Sequence, residues 1–476
     1  MKDESREKSG RSNLGIGVDF GTTNSAAAIF DGQTVRLVQL EDNQDIMPSA
    51  TYIDKELQSK TGQAAINRYI EDNSGRTVEM IPEVIGESSM LVGDYSVDNP
   101  KPVETITKKI YGLPHTDSGL QGRLFRGVKR LLGNKNLKRL MVFDHAFRPV
   151  ALITPMLLRI RKSIEKQALN FSHACLGHPV NFEGQDEHHN KLALSRLGEA
   201  YEHAGIKTYD FYPEPIAATV SYLHANPRAE GRTVLTVDFG GGTLDTCVLR
   251  RHVAGEFEVI ATHGTGLGGD HIDQAIFRKL LFPLLGEGEI WVRRGEDKEI
   301  ETEFPFKQYA DMLLNWAVTY VLNQNKYTTP VMECLEQEGP AREKFSRLRE
   351  LIQQNYGYLV FQKIKEFKAK LSSNESAVLD IPEIDVEVHL TRSEFEILIA
   401  PQLEIFGRTV DETLENAGLQ YSDIDLVLRT GGSSLIPAVL GMLEARFPGK
   451  VVVHDPFTSV ATGLAIADYF GYAKSA

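Results

Sequence analysis

The sequence contains few cysteines. Cys175, Cys247 and Cys334 are the only three in 476 residues, and no two of them form a C-x-x-C pair. Their odd number and wide spacing argue against a disulfide framework or a zinc site and favour a reducing compartment. No apolar run approaches the roughly 18 residues that a membrane-spanning helix needs. Residues 1–13 are polar and charged, unlike a signal peptide. We therefore predict a disordered N-terminal tail, a cytoplasmic location and no membrane partner.

The sequence also has no excess of positive charge. It holds 52 Lys and Arg against 65 Asp and Glu, which gives a net charge of −13 and argues against a nucleic-acid partner. The G-x-x-x-x-G-K-[ST] motif is absent, and so is G-x-G-x-x-G with a downstream acid, so a P-loop or a dinucleotide fingerprint is excluded. The length of 476 residues predicts two to four domains or subdomains.

An acidic, glycine-rich motif, by contrast, is present twice. The segment VDFGTTN at residues 18–24 recurs in altered form as VDFGGGT at residues 237–243. Each copy follows an apolar run, has an Asp where that run ends, and precedes a second apolar run. This pattern predicts a strand, a turn and a strand, made twice. The duplication indicates a pseudo-symmetric protein with two lobes.

The residue types in both turns suit a polyphosphate. The turn residues are Gly21, Thr22, Thr23 and Asn24 in the first copy and Gly240, Gly241, Gly242 and Thr243 in the second. Glycine lets backbone N–H groups approach phosphate oxygens, and threonine adds hydroxyl donors. A carboxylate would repel phosphate, so Asp19 and Asp238 predict a hard cation such as Mg²⁺ between them. A plain hairpin turn is the alternative for either copy alone, and the second copy favours the phosphate site.

Further patterns give the order of the remaining elements. They predict helices at residues 155–168, 186–205, 216–223, 437–447 and 459–467, strands at 35–40, 208–212, 386–390, 426–428 and 451–453, a linker at 226–231 and a mostly helical insertion at 283–375. Thr391 and Glu394 form a capping box that opens a long helix ending at Gly418. The small residues of the helices at 216–223 and 459–467 would let them cross closely and act as a hinge.

Together, and in this order, the motifs resemble the nucleotide-binding domain of the DnaK-type heat shock protein 70 family, within the superfamily of actin, sugar-kinase and chaperone ATPases. The resemblance covers nearly the whole chain after Leu14. It implies an α/β fold, a duplicated ribonuclease-H-like (actin-like ATPase) fold of two lobes, each with an inserted subdomain. The implied limits are lobe I at residues 14–228, with a core of 14–48 and 141–228 and an insertion at 49–140, and lobe II at 229–476, with a core of 229–282 and 376–476 and an insertion at 283–375.

The resemblance also implies roles for individual residues. The catalytic set would be Lys129, Glu214, Asp238 and Thr243. Asp19, Asp238 and Glu214 would hold Mg²⁺, mostly through water, and Asp245 would lie behind them or bind a monovalent cation. The nucleotide would contact Gly21, Thr22, Thr23, Asn24, Gly240, Gly241, Gly242, Thr243, Gly268, Gly269, Lys368, Ser372, Gly431, Gly432 and Ser433. Pro179 resembles a switch proline, and His178 beside it is interpreted as structural.

The sequence departs from the family at the adenosine end. Lys365 replaces an acid, and Leu435 replaces the arginine that stacks on adenine, so the base preference stays open. The chain given ends at Ala476, and it is similar to short, stand-alone family members without a C-terminal peptide-binding domain. We therefore expect a chaperone-like protein that binds ATP or ADP with Mg²⁺, and with room for K⁺, hydrolyses ATP slowly and acts on a protein partner or client. The alternatives are a non-hydrolysing nucleotide-regulated interaction or scaffold protein, a metabolite kinase and an actin-like filament former.

Overall fold

The computed structural model describes residues 14–92, 104–117, 119–168, 171–180, 182, 187–227, 232–252, 257–294 and 299–474. The predicted tail, residue 186 of the predicted helix and residues 228–231 of the predicted linker lie outside these ranges. Within them, no helix has the length and apolar character to cross a bilayer.

The secondary structure alternates strands and helices throughout. The first half contains β1 (Gly15–Phe20), β2 (Asn24–Phe30), β3 (Val35–Leu37), β4 (Met47–Pro48), β5 (Ala50–Asp54), β6 (Ser59–Thr61), α1 (Gln63–Asn73), β7 (Met80–Val92), β8 (Glu104–Asp117), β9 (Gly122–Arg126), β10 (Leu140–Val142), β11 (His145–Phe147), α2 (Pro149–Gln167), β12 (Ala174–His178), α3 (Glu187–His203), β13 (Tyr209–Pro213) and α4 (Glu214–Ala225). The second half contains β14 (Thr233–Phe239), β15 (Leu244–Arg251), β16 (Phe257–Thr265), α5 (Gly269–Ile276), β17 (Ile290–Arg294), β18 (Glu299–Glu303), α6 (Lys307–Leu313), α7 (Asn325–Leu335), α8 (Ala341–Gln353), α9 (Gly357–Ser373), β19 (Ser376–Ile381), β20 (Val386–Thr391), α10 (Arg392–Leu398), α11 (Ala400–Ala417), β21 (Leu426–Thr430), α12 (Pro437–Arg446), β22 (Val451–Val453) and α13 (Ser459–Phe470).

Two sheets share one topology. The first has the order β13-β12-β1-β2-β3 and the second has β22-β21-β14-β15-β16. In each sheet the first three strands run parallel, and the last two run antiparallel to their neighbours. Asp19 lies opposite Ala26 and Asp238 lies opposite Asp245 in the equivalent hairpins. This repetition confirms the predicted duplicated α/β fold and both strand–turn–strand units.

The helices α4 and α13 pack between the two sheets. Buried residues of both sheets and both helices form one apolar cluster, which includes Ala28, Val234 and Leu464. The crossing of the helices is close, because a methyl group at Gly463 would lie 1.7 Å from the carbonyl oxygen of Ala217. The predicted close crossing is therefore confirmed, and the hinge role stays a prediction.

Several predicted boundaries were wrong. Helix α2 begins at Pro149, six residues before the predicted start, with Pro155 inside it. Pro149 and Pro155 would each fit the first turn of a helix. Which of them begins α2 is decided by the tertiary structure and not by the local sequence. The long helix predicted to end at Gly418 is two helices, α10 and α11, interrupted at Ile399. Its predicted ends are confirmed, since Thr391 accepts from the Glu394 N–H and Gly418 has a φ of 65°.

The two insertions contain more β-structure than the patterns predicted. The region at 49–140, which reads as irregular, holds α1 and the long antiparallel pair β7–β8. The insertion at 283–375 holds the hairpin β17–β18 beside its predicted helices. Local pattern fails at such hairpins because their strands pair with each other outside the two core sheets, and strand propensity depends on context.

The insertions also contact each other across the two lobes. The Tyr69 hydroxyl donates to the carbonyl of Ala317 at 2.5 Å, and Asn323 Nδ2 donates to the carbonyl of Arg76 at 2.6 Å. The Tyr69 ring packs edge-on against Trp316 at 5.9 Å and Tyr320 at 6.0 Å. We call Tyr69, Arg76, Trp316, Tyr320 and Asn323 the interlobe bridge. These contacts join the two insertions.

Candidate functional site

A cavity of about 1170 Å³ is lined by residues of both sheets and of the turns that follow their strands. Nearly all the predicted site residues line it, namely Asp19, Gly21, Thr22, Thr23, Asn24, Lys129, Glu214, Asp238, Gly240, Gly241, Gly242, Thr243, Gly269, Lys368, Ser372, Gly432 and Ser433. Gly268 and Gly431 do not line it. The fold thus brings together side chains that are up to several hundred positions apart in sequence.

The two acidic turns approach each other closely across this cavity. A methyl group at Gly241 would lie 3.1 Å from the Thr23 hydroxyl oxygen, and one at Gly242 would lie 1.7 Å from Arg130 Nη2. A side chain at Gly242 would therefore displace the Arg130 guanidinium, which lies at the end of a flexible side chain. Both turns end their strands at the same side of the interlobe space, so their backbone N–H groups line a common pocket.

Lys129 and Glu214 form a close ion pair at the centre of the cavity. Lys129 lies on a short 3₁₀ turn, Val128–Leu131, that follows Gly127 in the left-handed region with a φ of 65°. Glu214 is the first residue of α4. The Lys129 Nζ donates to Glu214 Oε1 at 2.6 Å, and Lys129 is 4% exposed. Burying the ammonium group is tolerable because this carboxylate is in contact with it.

Three carboxyl groups that line the cavity with this ion pair have pKa values above their ordinary range. Burial, with a smaller effect from the charge of Glu214, raises the pKa of Asp19 to about 7 although Lys129 opposes it. Burial and the nearby Asp245 raise the pKa of Asp238 to about 8. Burial raises the pKa of Asp245 to about 6, against the hydrogen bond from Thr243. The cavity is therefore short of positive charge, which an added cation would supply.

This arrangement fits a hydrated cation better than a directly ligated one. Within the described ranges, no three His, Cys, Asp or Glu side chains converge closely enough to hold a metal ion. Mg²⁺ in nucleotide sites is held by one or two carboxylates, water and phosphate, so a tight protein cage is unnecessary. The negative charge of Glu214 helps to raise the pKa of both Asp19 and Asp238. These three residues would hold the cation through water.

The predicted phosphate donor Thr243 has another partner in this structure, and the structurally interpreted His178 is hydrogen-bonded. The Thr243 hydroxyl, which we predicted to donate to phosphate, donates to Asp245 Oδ2 at 2.8 Å. His178 Nδ1 lies 2.7 Å from the carbonyl oxygen of Pro179, and burial lowers the pKa of the His178 imidazole. A neutral, hydrogen-bonded His178 agrees with its structural interpretation, and Pro179 lines the cavity.

At the far end of the cavity the side chains are linked to one another. Lys368 Nζ donates to Asp273 Oδ1 at 2.6 Å and to the Gly269 carbonyl at 3.2 Å. The Ser372 hydroxyl donates to the Lys368 carbonyl at 3.0 Å, and the Ser433 hydroxyl donates to the Gly240 carbonyl at 3.1 Å. The third glycine-rich turn, residues 431–434, is thereby tied to the second acidic turn, residues 240–243.

The glycines that do not line the cavity serve close packing. A methyl group at Gly268 would lie 2.3 Å from the Gly241 carbonyl oxygen. Gly431 has a φ of 79°, and a methyl group there would lie 2.4 Å from the Phe239 carbonyl oxygen. Both glycines support the phosphate-type turns from behind, because no other residue could pack at these distances.

Sequence reasoning missed two residues that line the cavity. Arg130 is adjacent to Lys129 and lies against Gly242, and its charge lowers the pKa of Asp245. Its position beside Lys129 was a usable signal. Phe457 lines the far end and is 53% exposed. It lies in a loop before α13, and no local pattern marks it.

Comparison with known proteins agrees with this geometry. A family model described as "Hsp70 protein" matches residues 15–283 and 353–468, which is well over half of the chain. This chain belongs to the Hsp70 family. The Hsp70-type ATP-binding fold accounts for both sheets and for the shared cavity. Residues 284–352, which include Trp316, Tyr320 and Asn323 of the interlobe bridge, lie outside the matched segments.

Individual members of the Hsp70 family show the same extent of similarity. The chain is 25% identical over 467 residues to the chaperone protein DnaK of Mycoplasmopsis synoviae (strain 53), a match that covers 94% of the chain and 57% of that protein. It is 25% identical over 464 residues to the chaperone protein dnaK of Trieres chinensis, covering 95% of the chain and 60% of that protein. The chain therefore spans about three-fifths of the length of these curated relatives.

Proposed function

We propose that this Hsp70-family chain binds Mg²⁺–ATP in the interlobe cavity and hydrolyses it slowly to ADP and phosphate. One observation carries the proposal. Asp19 and Asp238, at the ends of equivalent strands, line one cavity together with the buried pair of Lys129 and Glu214. This supplies glycine turns for phosphate, carboxylates for a hydrated cation, and an ammonium group for the charge that develops on phosphoryl transfer.

Each group of residues has a separate role in the proposed binding and hydrolysis of ATP. The backbone N–H groups of Gly21, Gly241 and Gly242 bind phosphate oxygens, while the Gly240 N–H donates to the Thr243 carbonyl at 3.0 Å and closes the turn. Lys129, held by Glu214, neutralises charge on the transferred phosphoryl group, and Asp238 or Glu214 orients the attacking water. Mg²⁺, when bound through Asp19, Asp238 and Glu214, neutralises phosphate charge. Thr243 donates to phosphate once its hydroxyl has turned away from Asp245.

The wider role that we propose is chaperone-like. The two relatives are named chaperone proteins, and we propose that nucleotide state changes the closure of the lobes and thereby the grip on a protein partner or client. K⁺ near Asp245 and a cytoplasmic location belong to the same proposal. The close crossing of α4 and α13 supports it, because two lobes joined through small residues can rotate with little rearrangement of side chains.

The direct test measures binding and turnover separately. Calorimetric titration with ATP in the presence of Mg²⁺ and K⁺ should show one site per chain, and phosphate release should show slow turnover that needs both the cation and the nucleotide. Absence of heat with every Mg²⁺–nucleotide pair would remove the proposal.

A second candidate is a non-hydrolysing nucleotide-regulated interaction protein. The interlobe bridge favours it, since contacts such as the Tyr69 to Ala317 hydrogen bond hold the lobes together. This candidate predicts tight nucleotide binding with intact ATP recovered after long incubation. Recovery of ADP and phosphate in a single-turnover experiment decides for the ATPase.

A further inference from the structure

Part of the cavity lining is an apolar and aromatic surface. Leu435 is 39% exposed and Phe457 is 53% exposed, and both side chains line the same cavity as the acidic turns. Large apolar side chains that remain exposed inside a cleft are typical of a binding surface for a flat or apolar group. Ile436, which is buried, lies next to them in the lining.

The backbone around Phe457 is fixed. Asp455 Oδ1 accepts hydrogen bonds from the Phe457 N–H at 3.3 Å and the Thr458 N–H at 3.1 Å. The Pro456 carbonyl accepts from the Gly431 N–H at 3.0 Å. The loop that carries the aromatic ring is thus bonded to the third glycine-rich turn, so little conformational freedom is lost when a ligand binds.

The ring itself lies against that turn. A methyl group at Gly432 would lie 2.9 Å from Cε1 and 3.0 Å from Cζ of Phe457. The next residue of the turn, Ser433, donates to the Gly240 carbonyl of the second acidic turn. Phe457 therefore occupies a defined place relative to the proposed phosphate site, on the same rigid group of turns.

Three polar side chains of the cavity lining have partners already. Lys368 is bonded to Asp273, Lys365 pairs with Asp270 at 3.6 Å, and the Ser372 hydroxyl donates to a backbone carbonyl. These three side chains are thus engaged within the protein, whereas the apolar surface is open. This surface therefore favours stacking on the face of a base over hydrogen bonding to its edge.

We propose that Phe457, supported by Leu435, is the residue on which the nucleobase stacks, and that the site selects an aromatic base without strong preference for adenine. The inference rests on the proposed nucleotide function and deepens it. Every base presents a π-face, so stacking on one aromatic side chain tolerates a change of base. The side chain that would grip the base is supplied by the loop before α13, while Leu435 at the third turn adds apolar contact.

The test compares three ligands in the presence of Mg²⁺, which are ATP, GTP and inorganic tripolyphosphate. The wild-type chain should bind ATP and GTP within about tenfold of each other, and both more tightly than tripolyphosphate. Phe457→Ala should weaken ATP and GTP binding about tenfold or more, as expected for loss of one base–aromatic stack. Tripolyphosphate binding should not change, and Phe457→Tyr should restore the affinity for both nucleotides.

Phe470→Ala is the matched control, because Phe470 is an exposed aromatic residue of α13 that does not line the cavity. Leu435→Ala should cause a smaller loss of the same kind as Phe457→Ala. Equal ATP affinity in wild type and Phe457→Ala would overturn the inference, and so would a preference for ATP over GTP of more than a hundredfold. In both of these cases ATP still binds, so the proposed function survives. If none of the three ligands binds, the proposed function fails together with the inference.

Discussion

Lys129 and Glu214 stand 85 positions apart in the sequence, yet their side chains meet at 2.6 Å in the middle of the cavity. The pair joins a 3₁₀ turn of the lobe I insertion to the first residue of α4. A buried ammonium group must have such a partner, and the partner in turn fixes the direction of the lysine. This relation is the basis of the first prediction.

Replacement of Lys129 by alanine should remove turnover and leave binding largely intact. We expect single-turnover hydrolysis to fall about 10²–10³-fold, because a preorganised positive charge is lost at the developing phosphate charge. ATP affinity measured by calorimetry should change less than tenfold. Lys135→Ala is the control, since Lys135 is exposed and does not line the cavity. Unchanged hydrolysis in Lys129→Ala would show that this lysine has no part in the reaction.

Binding of Mg²⁺–nucleotide near pH 7 should release protons. The pKa of Asp238 is about 8 and that of Asp19 about 7 in the nucleotide-free protein, so both carry protons that a bound cation would displace. The measured heat of binding should therefore vary with the ionisation enthalpy of the buffer. Asp238→Asn should reduce this dependence, while Asp31→Asn, at an exposed turn, should not change it. A heat that is the same in all buffers would contradict the prediction.

The stability of the nucleotide-free protein should decrease with rising pH. In the unfolded chain Asp238 loses its proton near pH 3.8. In the folded chain its pKa is about 8, so the carboxyl group stays protonated to a much higher pH. Between these values the unfolded state binds fewer protons, so the free energy of unfolding falls as pH rises from about 4 to about 8. Urea midpoints measured across this range should show the fall, and Asp238→Asn should flatten it. A urea midpoint that rises over the whole range in wild type would show that these carboxyl groups do not dominate the pH dependence of stability.

Adding a methyl group at the helix crossing should destabilise the fold. Gly463→Ala would place that group 1.7 Å from the Ala217 carbonyl oxygen, so α4 and α13 would have to separate. We expect a loss of about 1–3 kcal/mol and a lower midpoint in thermal unfolding. Gly441→Ala in α12 meets nothing within 4 Å, and it should instead raise stability by roughly 0.5–1 kcal/mol. Equal midpoints for the two variants would show that the crossing tolerates expansion.

Weakening the interlobe bridge should speed nucleotide release. Trp316→Ala removes the ring that contacts Tyr69 at 5.9 Å and Arg126 at 4.7 Å, so lobe opening should need fewer broken contacts. We expect release of a fluorescent nucleotide to become about tenfold faster, equivalent to about 1.4 kcal/mol. Trp291→Ala is the control, since Trp291 lies on the β17–β18 hairpin and bonds to Glu333. The same release rate in both variants would show that the interlobe bridge does not control lobe opening.

Local sequence was sufficient for the strands and turns of the two cores. The runs before Asp19 and Asp238 are apolar because these strands are buried in the sheets, and the turns that follow contain glycine and threonine because a hairpin must reverse there. Signals of this kind are contained within about ten residues, so they can be read without a fold. The insertions could not be predicted in the same way, since β7 pairs with β8 and β17 with β18 in separate hairpins outside the core sheets.

The amino-acid sequence by itself determined the duplication, the chemistry of the two acidic turns and the types of element in each core, because these depend on local residue type and period. Only the tertiary structure decided that Lys129 reaches Glu214, that Arg130 lies against Gly242, that Phe457 opens into the same cavity, and that Tyr69 joins Trp316 across the lobes. The physical reason is that such contacts depend on how two sheets and two insertions are oriented, and no short segment of the chain contains that information.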